Sequence, residues 1–138
     1  MTLFIDTSVI MHAAGTDHPL RASCQAIVER AIDRSIDAVI SAEVIQEILH
    51  QAVAMRRTDE GIALANQALD LFAPVIPITH ALIRRVPDLI VRYPALDARD
   101  AVHVATCIHE GITEIISADR GYDDVAEVRR IDPLAFAG

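Results

Sequence analysis

The sequence predicts an α/β domain: a central, mainly parallel sheet of four to five strands with helices packed on its faces. Three observations predict it. Short β-branched runs alternate with longer stretches of helical periodicity, the pattern of strands joined by helical crossovers. The first and fourth of those runs lead directly into acidic segments, at Asp6 and Asp119. The 138 residues, 52% of them hydrophobic, fit a single domain over 1–138 that can bury a core without disulfide staples.

Each element follows in order. Thr2–Ile5 reads as the first strand, ending at Asp6. After a turn over Gly15–Pro19, the stretch Leu20–Arg34 places Leu20, Cys24, Ile27, Val28, Ala31 and Ile32 on one helical face. Asp37–Ile40 is a second strand, and Ser41 stands as the N-cap of a helix running from Ala42 to about Arg57. A helix from about Thr58 to Phe72 leads to a short strand over Pro74–Ile78. Thr79 caps a helix that Pro87 kinks or splits. Asp97 caps the next helix, which closes at Gly111. Glu114–Ser117 is a fourth strand, Asp123 and Asp124 read as a solvated helix start, and Arg129–Ile131 is a short edge strand. Right-handed crossovers put all carboxyl ends of such a sheet at one edge, where ligands bind.

Composition excludes several chemistries. The net charge is −8, from twenty acids against twelve cations, and every cation is Arg. Without Lys there is no Schiff base, no P-loop lysine and no match to a receiver-type phosphoacceptor domain. An acidic field opposes general nucleic-acid binding, so any such role must work locally, through an Arg patch or a metal ion that reverses the sign. Cys24 and Cys107 stand apart, outside any CxxC or Cys/His cluster, and read as core residues in a reducing compartment. No GxSxG elbow occurs. The amino terminus lacks signal-peptide character and no apolar stretch has transmembrane length, so the expectation is a soluble, cytoplasmic chain with no membrane contact.

The acids carry the remaining information, each with a structural reading beside a functional one. Asp6 is either the N-cap of a following helix or a site carboxylate. Glu43 and Glu47 share a helix face; Glu43 suits the first-turn macrodipole, whereas Glu47, among Ile45, Ile48 and Leu49, is the better candidate for a site. Asp97 reads as a cap. Asp100 heads the apolar run Ala101–Ala105, and a carboxylate there needs a partner. Asp119 is either an Asx-turn residue or a fourth site acid. His103, mid-helix in an apolar run, reads as a satisfied core histidine rather than a ligand. Four acids from four segments converge near one sheet edge, and an all-oxygen set suits Mg²⁺ or Mn²⁺.

Taken together, Leu3–Ser8, Ile40-Ser41 with Gln46-Glu47-Ile48, Leu96–Ala105 and Ile116–Asp123 resemble PIN-domain proteins, specifically the VapC-type toxin ribonucleases of bacterial type II toxin–antitoxin pairs. The likeness runs in order over nearly the whole chain. It implies a three-layer α/β/α PIN-like fold and a metal-dependent endoribonuclease. Asp6, Glu47, Asp100 and Asp119 would be its catalytic, metal-binding acids and Mg²⁺ its cofactor, with Mn²⁺ the substitute. Asp123 would be an outer contributor, Ser8 and Ser117 would supply hydroxyls, and Glu43 stays a rival for Glu47. The family commonly shows Asn, Thr and Phe where this chain has Ser8, Ser117 and Tyr122. Implied partners are an RNA substrate, a cognate VapB-type antitoxin and a second copy in a homodimer, with the apolar helices around Ala63–Phe72 and Leu82–Val91 as candidate faces. Arg84, Arg85, Arg92, Arg99 and Arg120 form either a phosphate path or ordinary solvated faces. Two other readings stay open: a PIN-fold nuclease of RNA maturation or decay without antitoxin, and a non-catalytic protein-binding PIN module. A metal-dependent phosphatase of small molecules is a more distant option.

Overall fold

The computed structural model describes residues 1–137. Four strands form one parallel sheet: β1 (Thr2–Ile5), β2 (Asp37–Val39), β3 (Glu114–Ile116) and β4 (Arg129–Ile131), in the order β2-β1-β3-β4. The helices are α1 (Thr7–Ala14), α2 (Arg21–Ile32), α3 (Ala42–Ala54), α4 (Thr58–Leu71), α5 (His80–Ile83), α6 (Val86–Arg92), α7 (Ala98–Glu110) and α8 (Pro133–Ala137), with a 3₁₀ turn at Arg120–Tyr122. The chain leaves β1 for β2 on one side through α1 and α2, then returns past β1 to β3 through α3–α7. Right-handed crossovers in opposite directions lay helices on both faces, giving the three-layer α/β/α arrangement. The order reverses between β1 and β3, so the crevice for a ligand opens at their carboxyl ends.

The β-branched runs form strands because they are buried on both faces; Phe4, Ile5, Ile115 and Ile116 are each at most 1% exposed. The core continues through Ile27, Val44, Ile48, Leu82 and Val104. The α3–α4 crossing is tight enough that a Cβ on Gly61 would fall 2.1 Å from that of Ala52. Gly111 ends α7 at φ 70°, the left-handed conformation that a non-glycine residue adopts only with strain.

Several expectations need correction. Pro74–Ile78 is no full strand: only Ser41 and Ile76 form a bridge, because Pro74 and Pro77 lack the N–H groups a ladder needs. Pro87 splits its helix, sitting in the first turn of α6, where an N–H is not required. Ser41 occupies the N-cap position, but its side chain caps nothing. The N–H of Val44, the group a capping hydroxyl would take, donates instead to the Ser41 carbonyl. No helix starts at Asp123 or Asp124, which follow the 3₁₀ turn. Ile32 ends α2 59% exposed rather than on its buried face. Among the described residues, no helix is long and apolar enough to cross a membrane.

Candidate metal centre

Asp6 is the first residue beyond β1, and its backbone N–H donates to Ile116 O at 3.0 Å, which locks it to the end of β3. It is both N-cap and cluster acid: its Oδ2 accepts from Ser8 N at 3.4 Å, Ser8 Oγ at 2.6 Å and Ser117 Oγ at 2.7 Å. Each serine gives its one proton to Asp6, and each oxygen then accepts a backbone N–H, Ser8 from Ala118 and Ser117 from Asp119. Oδ1 of Asp6 is left facing the interior, 3.2 Å from the Tyr122 hydroxyl and 3.7 Å from His103 Nε2.

Asp100 lies in the first turn of α7, its N–H held by the capping Asp97 carboxylate at 2.8 Å. Its Oδ1 accepts from the Tyr122 hydroxyl at 2.9 Å. One turn on, His103 is wholly buried and points to the same place. Its Nε2 lies 2.5 Å from Glu47 Oε1 and 3.5 Å from Thr7 Oγ1, while Nδ1 has no partner. The expected satisfied core histidine is therefore half satisfied and part of the acidic cluster. The i, i+3 spacing of Asp100 and His103 on one helix was the signal for it. Asp6, Asp100 and His103 offer ligand atoms within 4.8 Å of one another.

The other acids divide. Glu47 is buried and joined to His103, while Glu43, one turn earlier, is half-buried and makes no hydrogen bond among the described residues. Asp119 is exposed, its Oδ1 capping Gly121 N at 2.8 Å, and it lies close enough to Asp100 to affect that group's ionisation. Asp123 is not brought in: Arg130 Nε holds it at 2.6 Å and keeps its carboxyl below the usual range. Tyr122, which the resemblance marks only as a position where the family shows Phe, is fully buried and a polar member of the cluster; its polar surroundings in the sequence give no sign of that burial.

Electrostatics follow from burial without an arginine partner. Desolvation, then the neighbouring Asp119, push the Asp100 carboxyl up to about 8; Tyr122 opposes, and Asp6 and Asp97 add to the rise. Burial pulls His103 down, but the Glu47 hydrogen bond and the charges of Asp6, Glu47 and Asp100 outweigh it and hold the imidazole above its ordinary value. Burial and the flanking acids hold the Tyr122 phenol well above its usual value. Burial also raises Glu43, with His103 opposing, Glu47 adding and Arg99 opposing. Cys24 and Cys107, raised by burial to about 11 and about 12, are inert thiols. No Arg reaches Asp6, Asp100 or Glu47 among the described residues. Such a set of hard oxygens fits a divalent cation, which would supply the missing positive charge.

A family model described as the PIN domain matches residues 3–128. A VapC ribonuclease of Mycobacterium bovis is 32% identical over 129 residues, covering 94% of this chain and 98% of that protein. Ribonuclease VapC23 of Mycobacterium tuberculosis is 33% identical over 120 residues, covering 85% and 92%. Among solved structures, VapC20 of Mycobacterium tuberculosis, a sarcin-ricin loop cleaving toxin, aligns with a TM-score of 0.73 at 17% identity, over 91% of this chain and 96% of that one. FitAcB from Neisseria gonorrhoeae aligns with a TM-score of 0.71 at 18% identity, over 96% and 98%. At those identities the two structures establish the shared fold.

Proposed function

The chain belongs to the PIN-domain family, and we propose that it is a metal-dependent endoribonuclease, the toxin of a VapBC-type toxin–antitoxin pair. In this reading it works in the cytoplasm as one domain over residues 1–138. One observation carries it: buried Asp6 and Asp100 meet His103 at the sheet's switch point, buried Glu47 joins through that imidazole, and among the described residues no arginine reaches any of the three acids. Asp6 and Asp100 would hold Mg²⁺, or Mn²⁺ in its place, with Asp119 and Glu47 completing the set. An ion held there would supply Lewis-acid chemistry, lowering the pKa of a water and polarising the scissile phosphate.

The protein's own groups do the rest. Ser8 and Ser117 occupy Oδ2 of Asp6, so that Oδ1 is the oxygen turned to the site. Asp100, whose carboxyl burial pushes up to about 8, would have to release its proton to hold a cation. His103 orients Glu47 through Nε2. Exposed Arg120, next to Asp119 in the chain, and half-buried Arg99, next to Asp100, would oppose the chain's net negative field toward a phosphate backbone. Arg84 and Arg92 are engaged elsewhere, with His80 and Glu127. A VapB-type antitoxin partner is supported by the VapC relatives. Exposed Ile83, Ile90 and Val91 on α5 and α6 support a homodimer face.

The test is cleavage of a total cellular RNA pool by antitoxin-free protein, with Mg²⁺ or Mn²⁺ and with chelator, beside Asp6→Ala. The expected result is discrete fragments that need both the metal and Asp6. No cleavage by folded, metal-loaded protein overturns the reading in favour of a protein-binding module.

A further inference from the structure

The 3₁₀ turn after β3 is compact. Asp119 Oδ1 caps Gly121 N, and a Cβ on Gly121 would meet that oxygen at 3.1 Å and the Ala95 carbonyl at 3.2 Å. The turn drives Tyr122 inward until none of it is exposed. A benzyl ring alone would fill that space, so the hydroxyl needs its own reason, because a buried phenol costs free energy unless it is paired. It is paired with two carboxylates at once, Asp100 Oδ1 at 2.9 Å and Asp6 Oδ1 at 3.2 Å.

Those two acids stand on different elements, the end of β1 and the first turn of α7. The Tyr122 hydroxyl is the hydrogen-bonding group they share among the described residues. With Oδ2 of Asp6 taken by two serines, Oδ1 is the edge it turns toward Asp100. A phenol has one proton and two acceptor lone pairs, so it can donate to only one of the two acids at a time. In the other contact it accepts a proton or leaves two oxygens in mutual repulsion.

We propose that Tyr122 is a positioning residue whose hydroxyl couples Asp6 to Asp100 and holds them as a preassembled pair for a divalent cation. The proposal rests on the metal-site reading above and adds the residue that sets its geometry. Partners of this outer kind orient ligands and commonly change metal affinity by about 10–100-fold. A ring without the hydroxyl would keep the packing but leave two buried carboxylates with no donor between them.

The test is the affinity of the full chain for Mn²⁺, read by the EPR signal of free ion, for wild type, Tyr122→Phe and Ile27→Val. The last is a core change on α2 that lowers stability away from the acids. Tyr122→Phe is expected to weaken binding by about 10-fold or more while Ile27→Val leaves it unchanged. Equal affinity in Tyr122→Phe overturns the proposal, and so does tighter binding, which would mean that the hydroxyl competes with the ion. No binding by wild type would instead sink the metal reading itself. A second measurement covers a Tyr122→Phe chain that fails to fold. The protein has two tyrosines and no Trp, so Tyr93→Phe leaves Tyr122 as the sole phenol, read in the tyrosine band apart from phenylalanine. Its absorbance is expected to shift as Mg²⁺ saturates; a flat spectrum alongside bound Mg²⁺ overturns the coupling.

Discussion

Buried acids at the two ends of the sheet are handled in opposite ways. Glu114 opens β3 at the amino edge, 8% exposed, and is ion-paired with Arg129, its register partner on β4. Away from the site the same solution recurs: Arg92 lies 3.2 Å from Glu127, and Arg130 holds Asp123. At the carboxyl edge Asp100 is equally buried and Asp6 more so, yet their partners are Ser8, Ser117, Tyr122 and His103. The chain has twelve arginines and places none among these acids. One end neutralises its carboxylate internally, whereas the other leaves a charge deficit that an external cation can fill.

The largest test of that contrast is Asp100→Asn. Loss of metal-dependent RNA cleavage is expected to exceed the roughly 10–100-fold typical of outer-sphere partners, with the fold retained by circular dichroism. Full activity in the folded variant would break the comparison.

Next comes the Glu47 and Glu43 pair. Glu47→Gln is expected to reduce cleavage by about 10–100-fold through His103 and the site charge. Glu43→Gln, half-buried and unbonded, should leave it within about twofold. Reversed effects would move the site one helical turn.

A smaller effect lies in pH. The Asp100 carboxyl sits at about 8 in the metal-free fold and near 3.9 in an unfolded chain. Between those values the folded state binds more protons. Its stability is therefore greatest below about pH 4 as far as Asp100 is concerned, and it falls as pH rises through about 8. Chelated wild type should lose more melting temperature between about pH 6 and about pH 9 than Asp100→Asn does, and saturating Mg²⁺ should flatten the wild-type slope. Parallel slopes for wild type and variant would remove Asp100 as the cause.

The smallest expectation belongs to the other end. Arg129→Ala should leave Mn²⁺ affinity unchanged, although stripping the buried Glu114 of its cation should cost about 1–3 kcal/mol in denaturant unfolding. An affinity loss approaching that of Asp100→Asn would show that the two ends are not independent.

Much of this architecture was legible in the residues. Asp6 after Thr2–Ile5, the Asp97 cap, the Gly111 stop and the split at Pro87 each follow from local chemistry that acts within a few residues. Pro74–Ile78 reads as a strand from its β-branched residues, but two missing N–H donors leave it a single bridge. His103 and Tyr122 were underread for a common reason. Local sequence signals neither role, because His103 sits in an apolar run and Tyr122 in a polar turn, and only partners 56 and 22 positions away reveal their polar atoms at work. Asp123 shows the converse, an acid in a promising segment taken by Arg130 from a neighbouring strand.

The sequence by itself determined most of the element order, the parallel crossover sheet and the segments from which acids come, because periodicity and capping are properties of adjacent residues. Only the tertiary structure decided which of those acids lack an arginine partner. Neutralisation depends on side chains that meet across elements, so Asp6, Glu47 and Asp100 became a charge-deficient cluster and Glu114 an ordinary ion pair.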